Sequence, residues 1–240
     1  MIEIKNLYKK FGKLEVLSDI NLSCKKGECI ALIGPNGCGK TTLIKSILGM
    51  VLPDKGSIMF AGNSVLTEYL YREKIGYMPQ IGRYPDTMTI GQIIEMIKKI
   101  RNSTTELDEE LLKAFELHEL FDKKMSTLSG GTTQKVSAVL AFLFNPTVLI
   151  LDEPTAGLDP LASEILKEKI SKEKDKGKLI FITSHLLSEL DDLITELIFM
   201  QEGKIFFHKK VELLKQETGE DRISKAIAQL LKKNKNVPNH

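Results

Sequence analysis

The chain has 240 residues, of which 42% are hydrophobic and 28% are charged, and its formal net charge at pH 7 is +2. These values predict a folded domain with a sizeable core, and they exclude a strong general attraction to nucleic acid or anionic lipid. The sequence also shows neither a secretory signal at its start nor an apolar run near the roughly 20 residues that span a bilayer, so we expect a cytoplasmic protein.

Strand patterns near the start of the chain and at two places beyond its middle together predict a sheet. Two strands are predicted near residues 2–8 and 16–23. Three continuous apolar runs then predict strands that are buried on both faces: Cys29–Ile33, Val148–Leu151 and Leu179–Ile182. Polar residues and a helical pattern follow each run, which is the rhythm of a parallel sheet. Ligands bind such sheets beyond the carboxyl ends of the strands, and the motifs described next fall there.

Helical patterns dominate the middle and the end of the chain. Nearly all of the segment from about 85 to 145 is predicted to be helical and to form a lobe inserted between strands. Near the end, apolar runs flank Gln201-Glu202-Gly203, which predicts a β-hairpin. Residues 211–240 form a polar helical tail, expected either to pack on the core as a helix pair or to rest near a membrane.

A glycine-rich segment follows the first buried run and precedes a helical pattern. It reads G-x-x-x-x-G-K-T, the phosphate-binding loop in the context that this motif requires. Its backbone N–H groups and the helix N-terminus suit phosphate, Lys40 would reach the β- and γ-phosphates, and the Thr41 hydroxyl would bind Mg²⁺. Cys38 is interpreted as a small filler. The predicted nucleotide-binding residues here are Gly34, Pro35, Asn36, Gly37, Cys38, Gly39, Lys40, Thr41 and Thr42.

Two adjacent carboxylates end the run Val148–Leu151. Because consecutive strand residues point to opposite faces, we expect Asp152 and Glu153 to do different work. Asp152 would hold Mg²⁺, and Glu153 would polarise the attacking water as a general base. His185, which follows the run at Leu179–Ile182, could hydrogen-bond the γ-phosphate.

Leu128-Ser129-Gly130-Gly131 heads a helical pattern just before the strand that carries the acids. Ser129 is predicted to cap that helix, and the glycines leave backbone donors open for phosphate. In order with the other motifs, this segment resembles the LSGGQ signature of the ABC ATPases, and the resemblance covers residues 2–207. The fifth signature residue departs from the family pattern, because Thr132 stands where glutamine is usual.

The resemblance implies the rest of the organisation. It implies an α/β P-loop NTPase over residues 1–210, with a RecA-like parallel sheet core, an antiparallel β subdomain and an inserted α-helical signature subdomain. Phe11 would stack on adenine, Gln80 would sense Mg²⁺ and the γ-phosphate, and Asp159 would belong to the D-loop. ATP would close a head-to-tail homodimer in which Ser129, Gly130 and Gly131 act on the partner's nucleotide. An integral membrane permease would hold the dimer on the cytoplasmic face of the inner membrane.

Within the family, the segments 129–138, 142–146, 157–163 and 184–193 are similar to the ATPase of the bacterial system that matures the copper centres of nitrous-oxide reductase. That system would add a periplasmic maturation protein as a partner. The alternative is the ATPase of a general drug, lipid, haem or sodium exporter. A non-transport ABC protein and a small-molecule kinase are disfavoured, since the chain has no tandem ATPase domain and carries the signature.

Overall fold

A computed structural model describes residues 1–101, 106–184 and 191–235. Its described strands form two sheets. The four-stranded sheet is antiparallel and has the order β2-β1-β4-β5. Its strands are β1 (Ile2–Phe11), β2 (Leu14–Cys24), β4 (Lys55–Phe60) and β5 (Asn63–Ser64).

The six-stranded sheet has the order β10-β9-β3-β8-β7-β6, and all its neighbours are parallel except β9 and β10. Its strands are β3 (Cys29–Ile33), β6 (Ile75–Met78), β7 (Val148–Asp152), β8 (Leu179–Thr183), β9 (Glu196–Gln201) and β10 (Lys204–Lys210). Every residue of β3, β7 and β8 is buried, as the continuous apolar runs predicted. The fold class inferred from the sequence is confirmed.

The helices surround this second sheet. The described α-helices are α1 (Lys40–Ile47), α2 (Ile90–Arg101), α3 (Glu110–Ala114), α4 (Gly130–Phe142), α5 (Pro160–Asp175), α6 (Val211–Thr218) and α7 (Ile223–Lys235). Shorter 3-10 turns lie at Leu70–Lys74, Leu117–Leu120 and Met125–Thr127. Helix α3 ends at Ala114, and it does not continue into the next turn because Glu116 adopts a left-handed φ of 54° that a continuous helix cannot contain.

Two apolar clusters pack on the opposite faces of the six-stranded sheet. Along β3, Cys29, Ala31 and Ile33 join the cluster that contains α4, α5 and the tail. Ile30 and Leu32, on the other face, join the cluster formed with α1 and the four-stranded sheet. The six-stranded sheet is thus a central layer with an apolar cluster on each face.

The tail packs on the core as a pair of helices. Gly219, with a left-handed φ of 68°, separates α6 from α7. Ile223 and Ala226 are fully buried, and the Ile223 N–H donates to Asp191 Oδ1 at 3.2 Å. Over the described residues 211–235, the tail therefore forms a helix pair on the core. None of the helices in the described ranges combines the length and the apolarity that crossing a membrane would take.

A buried ionic cluster ties α5 to the start of α3, in the middle of the helical lobe. Lys169 is only 2% exposed, and its ammonium lies 2.5 Å from Asp108 Oδ2 and 2.7 Å from Glu110 Oε2. One turn later, the fully buried Glu173 accepts from Lys169 at 3.1 Å and also pairs with Lys176 and Lys178. Burial alone would raise the pKa of Glu173, but these lysine partners together lower it to about 2.

Candidate functional site

A cavity of about 510 Å³ opens where β3, β6 and β7 end. It brings the phosphate-binding loop (residues 34–41) together with both predicted acids and Gln80, as the parallel-sheet argument expected. Its lining residues are Leu14, Val16, Asn36, Gly37, Gly39, Lys40, Thr41, Thr42, Gln80, Asp152 and Glu153.

The phosphate-binding loop is pressed against the end of β9. Gly34 has a φ of 150°, and a Cβ added there would lie 2.1 Å from the carbonyl oxygen of Met200, so only glycine fits. The Lys40 ammonium donates to the carbonyl oxygens of Gly34 at 2.7 Å and Pro35 at 3.2 Å. These bonds hold its charge within the loop. Gly34 and Pro35 are not among the lining residues of the cavity. They support the loop by accepting hydrogen bonds from Lys40.

Cys38 also lies behind the cavity surface. It is 3% exposed, and its N–H donates to the Pro35 carbonyl oxygen at 3.2 Å. Its Sγ would be 2.8 Å from a Cβ added at Gly34. This close packing supports the interpretation of Cys38 as a small residue that fills the loop.

The two acids lie on the same cavity, not on opposite faces. Strand β7 ends at Asp152, and Glu153 has a left-handed φ of 51°, so the alternation assumed from the sequence stops between them. Thr183, at the end of the adjacent β8, connects both. Its hydroxyl donates to Asp152 Oδ1 and accepts from the Glu153 N–H at 3.1 Å, while its carbonyl oxygen accepts from the same N–H at 3.1 Å.

Three oxygen donors suited to Mg²⁺ border the cavity. They are the Thr41 hydroxyl, the Asp152 carboxylate and the Gln80 side-chain amide. Magnesium prefers oxygen ligands and is commonly bound by one or two carboxylates together with substrate phosphates, so this donor set fits the ion. Burial and, secondly, the charge of Asp152 raise the pKa of the neighbouring Tyr77, which keeps that phenol protonated.

The signature serine caps α4, as predicted. Ser129 Oγ accepts the Thr132 N–H at 3.2 Å, and the two side-chain hydroxyl oxygens are 2.9 Å apart. Gly131 touches the loop before α5, because a Cβ added there would lie 2.7 Å from the Gly157 carbonyl oxygen. Neither Ser129 nor the glycines 130 and 131 line the cavity of their own chain.

Asp159, at the end of the loop that precedes α5, connects this loop with α4. It caps α5, since Oδ1 accepts the Ala162 N–H at 2.8 Å, and its Oδ2 pairs with Lys135 at 2.8 Å. The hydrogen bond from Lys135, followed by that from Ala162, lowers the pKa of Asp159. One residue before Lys135, the buried Gln134 places Nε2 3.5 Å from the Glu153 carbonyl oxygen. The helix that begins at the signature thus contacts both the D-loop and the second acid.

Phe11 and His185 are the two remaining predicted site residues. Phe11 is 51% exposed and does not line the cavity; the Lys9 ammonium lies 5.3 Å from its ring centroid. Leu14, its cross-strand partner, and Val16 border the cavity instead. His185 lies outside the described residues.

Sequence reasoning missed Leu14, Val16, Thr183 and Gln134. Thr183 carried the signal that marked Asp152, a polar residue at the end of a buried apolar strand. The others could not be identified, because an exposed leucine near a turn and a glutamine within a helix have no distinguishing pattern.

Comparison with known proteins bears on the whole of this arrangement. Residues 17–156 match the family model described as ABC transporter. Nod factor export ATP-binding protein I of Burkholderia orbicola (strain AU 1054) is 33% identical over 208 residues, which are 85% of this chain and 68% of that protein. Lantibiotic transport ATP-binding protein SrtF of Streptococcus pyogenes is 33% identical over 214 residues, covering 88% of this chain and 92% of that protein. A solved structure of an ATP binding subunit of an ABC transporter superposes with a TM-score of 0.88 at 28% identity, covering 96% of this chain and 99% of that one.

Proposed function

This chain belongs to the ABC transporter family, and we propose that it is the ATP-hydrolysing subunit of an exporter-type transporter, working as a homodimer on a separate membrane permease. It is an ATPase that uses ATP with Mg²⁺. The observation that carries the proposal is the single cavity that combines Lys40, Thr41, Gln80, Asp152 and Glu153.

The residues of the cavity divide the chemistry between them. Lys40 binds the β- and γ-phosphates, and Thr41, Asp152 and Gln80 hold Mg²⁺. The ion, when bound, neutralises charge that develops on the phosphates. Glu153 orients and deprotonates the attacking water, and its backbone is held in place for this by the Thr183 carbonyl and hydroxyl groups. Phe11 stacks on adenine beside Leu14. The hydrogen bond to the γ-phosphate is assigned to His185 from the sequence alone, since this residue lies outside the described ranges.

The second half of each site comes from the other copy. Ser129 and Gly130 are exposed at the open N-terminus of α4 and lie outside the cavity of their own chain. In a head-to-tail dimer they face the partner's ATP, where the helix dipole and the open N–H groups favour phosphate. Asp159 lies next to this surface and links the two sites.

The permease contacts the segment that follows Gln80. Tyr84 Oη lies 2.9 Å from Ser137 Oγ, so this segment is attached to α4. A cavity of about 330 Å³ lies beside this segment, and the cavity offers both a carboxylate, Asp86, and a guanidinium, Arg83, to a permease loop. Its lining residues are Gly82, Arg83, Tyr84, Asp86, Met125 and Thr133. A movement of Gln80 on ATP binding would reach the permease and α4 together, at the cytoplasmic face of the membrane.

The direction of transport is inferred from relatives. The two relatives described above are named for Nod factor export and lantibiotic transport, and both names favour the general exporter that the sequence offered as an alternative. The narrower proposal, maturation of nitrous-oxide reductase with a periplasmic partner, is supported only by the four sequence segments that resemble that system.

Phosphate release and self-association test the proposed function. Purified protein should hydrolyse ATP with a rate that rises more than linearly with protein concentration, since two copies make each site. Lys40→Ala should abolish this activity. Hydrolysis by a monomer, at a rate strictly proportional to protein concentration, would contradict the proposal.

One genetic experiment separates the two transport proposals. If Lys40→Ala at the native locus yields a nitrous-oxide reductase without copper, the maturation proposal is supported. A normal reductase together with an export defect would leave the general exporter.

A further inference from the structure

Within the described part of the chain, the hydroxyl group of the signature serine makes its hydrogen bonds with Thr132. Ser129 Oγ accepts the backbone N–H of Thr132 at 3.2 Å and lies 2.9 Å from Thr132 Oγ1. The Ser129 carbonyl oxygen is fixed separately, by the Thr133 hydroxyl at 3.1 Å. Thr132 is the residue that departs from the family signature, and it meets the one signature side chain that can donate to phosphate.

A count of protons and lone pairs gives this contact a direction. A serine hydroxyl has one proton to donate and two lone pairs that accept. The Thr132 N–H occupies one lone pair. If the Thr132 hydroxyl donates to the second, the Ser129 proton must point elsewhere; if Ser129 donates to Thr132, an unshared lone pair faces the open helix end. An anion at that end strongly favours the first arrangement, since it attracts the proton and repels the lone pair.

We propose that Thr132 is a positioning residue for ATP hydrolysis, whose hydroxyl donates to Ser129 and thereby directs the Ser129 proton toward the γ-phosphate bound by the other copy. The proposal rests on the proposed function, in which Ser129 acts on the partner's nucleotide. The two hydroxyl groups form a short chain, and each bond in such a chain polarises and strengthens the next.

The hydroxyl of Thr132 is not needed to build the helix end. The cap itself uses the Thr132 backbone N–H, which valine also has. Valine matches threonine in shape and in β-branching, so Thr132→Val removes the hydroxyl and little else. Its effect should therefore appear in the use of ATP and not in the stability of the fold.

The first experiment compares KM and kcat for ATP in Thr132→Val, Thr132→Ser and the unchanged protein. Loss of one hydrogen bond that orients a donor to a charged group should raise KM about 3- to 10-fold in Thr132→Val. Thr132→Ser keeps the hydroxyl and should stay within about twofold. Thr127→Val is the matched control, because among the described residues that exposed hydroxyl bonds only the local Lys124 carbonyl oxygen at 2.7 Å. The melting temperatures of all four proteins should agree.

A double-mutant cycle then asks whether Thr132 acts through Ser129. In a Ser129→Ala background, Thr132→Val should cause no further rise in KM, because the hydroxyl that it orients is gone. An equal rise in both backgrounds, or no rise in either, would overturn this role. In Glu153→Gln, ATP should dimerise the chain at a lower concentration than in Glu153→Gln with Thr132→Val. Absence of any ATP-dependent dimer with Thr132 intact would overturn the proposed function and this role together.

Discussion

Among the described residues that line the cavity, Glu153 is the one non-glycine residue with a positive φ. Its left-handed φ of 51° is uncommon for a residue with a side chain and costs energy that surrounding contacts must offset. Thr183 accepts a hydrogen bond from the backbone N–H of Glu153, and the side-chain amide of Gln134 lies near the Glu153 carbonyl oxygen. The conformation places Glu153 on the same cavity as Asp152, which a continued strand would not do.

Replacement of Glu153 by glutamine tests its proposed role as the base. Glutamine keeps the shape but cannot accept a proton, so kcat should fall by about 10²- to 10⁴-fold. ATP binding should persist, because Lys40 and Asp152 are unchanged, and the ATP-bound dimer should accumulate. Phosphate release and size-exclusion chromatography with ATP would measure the two effects. Unchanged turnover would remove Glu153 from this role.

Thr183 gives a second prediction for a single residue. Thr183→Val leaves Asp152 without the donated hydroxyl and Glu153 without one acceptor, in a setting where Thr183 is only 2% exposed. An unmade bond to a buried charged group costs about 1–3 kcal/mol, so kcat should drop about 5- to 150-fold. Thr183→Ser retains the hydroxyl and should recover most of the rate. Equal rates in the valine and serine variants would show that the hydroxyl is not needed.

The sequence predicted residues whose chemistry has a fixed spacing, and it missed those that act by position. Lys40 and Thr41 were identified from the phosphate-binding loop motif, and Asp152 was identified from its place at the end of a buried strand. All three border the cavity. Leu14 lies on the cavity because of the shape of the turn between β1 and β2, and no sequence motif predicts that shape. Thr183 stands at a strand end, as Asp152 does, but its role depends on partners at the end of the neighbouring strand β7, and Glu153 lies 30 residues away in the sequence.

Among the elements, β6 and α4 show how packing overrides local preference. Strand β6 has only 4 residues and contains Gly76, so its strand pattern is weak in the sequence. The glycine is required by contact with α4, because a Cβ added there would lie 2.0 Å from the Ala141 carbonyl oxygen. Strand β4 was missed for a similar reason, since Gly56 interrupts its pattern. The longer apolar runs, by contrast, were sufficient to predict β3, β7 and β8.

Substitution of Gly76 tests this contact between the elements. Gly76→Ala should push α4 away from β6 and lower the free energy of unfolding by about 1–3 kcal/mol. Gly130→Ala is the control, because nothing lies within 4 Å of its added Cβ and alanine favours a helix. Urea unfolding of the two variants measures the difference. Equal stability would mean that α4 shifts without cost.

For the whole molecule, the ionic cluster around Glu173 joins the helical lobe to the sheet layer. The pKa of Glu173 is about 2 in the folded state, below the ordinary 4.5. The stabilising effect of the Glu173 carboxylate is therefore complete above about pH 4.5 and is lost as the pH falls toward 2. Glu173→Gln should therefore lower the free energy of unfolding at pH 7 by about 3 kcal/mol.

The pH dependence of that loss is the sharper test. The difference between Glu173→Gln and the unchanged chain should shrink as the pH is lowered below about 4.5, as followed by denaturant unfolding. Glu164→Gln serves as the control on the same helix, because its pair with Lys167 is 65% exposed on the acid side and should contribute less than about 0.5 kcal/mol. A loss that does not vary with pH would point to packing and not to charge.

The turn between β9 and β10 lies between the phosphate-binding loop and β2. The Gly203 N–H donates to the Cys38 carbonyl oxygen at 3.1 Å, its carbonyl oxygen accepts the Ser18 N–H at 2.9 Å, and an added Cβ would meet the Val16 carbonyl oxygen at 2.7 Å. Hairpin tips are usual places to insert an epitope tag, since most face open water. Here a tag inserted after Glu202 should abolish ATP binding in a nucleotide-binding assay. The same tag inserted at Gly62, which has nothing within 4 Å of an added Cβ, should leave it intact and give a labelled, working protein.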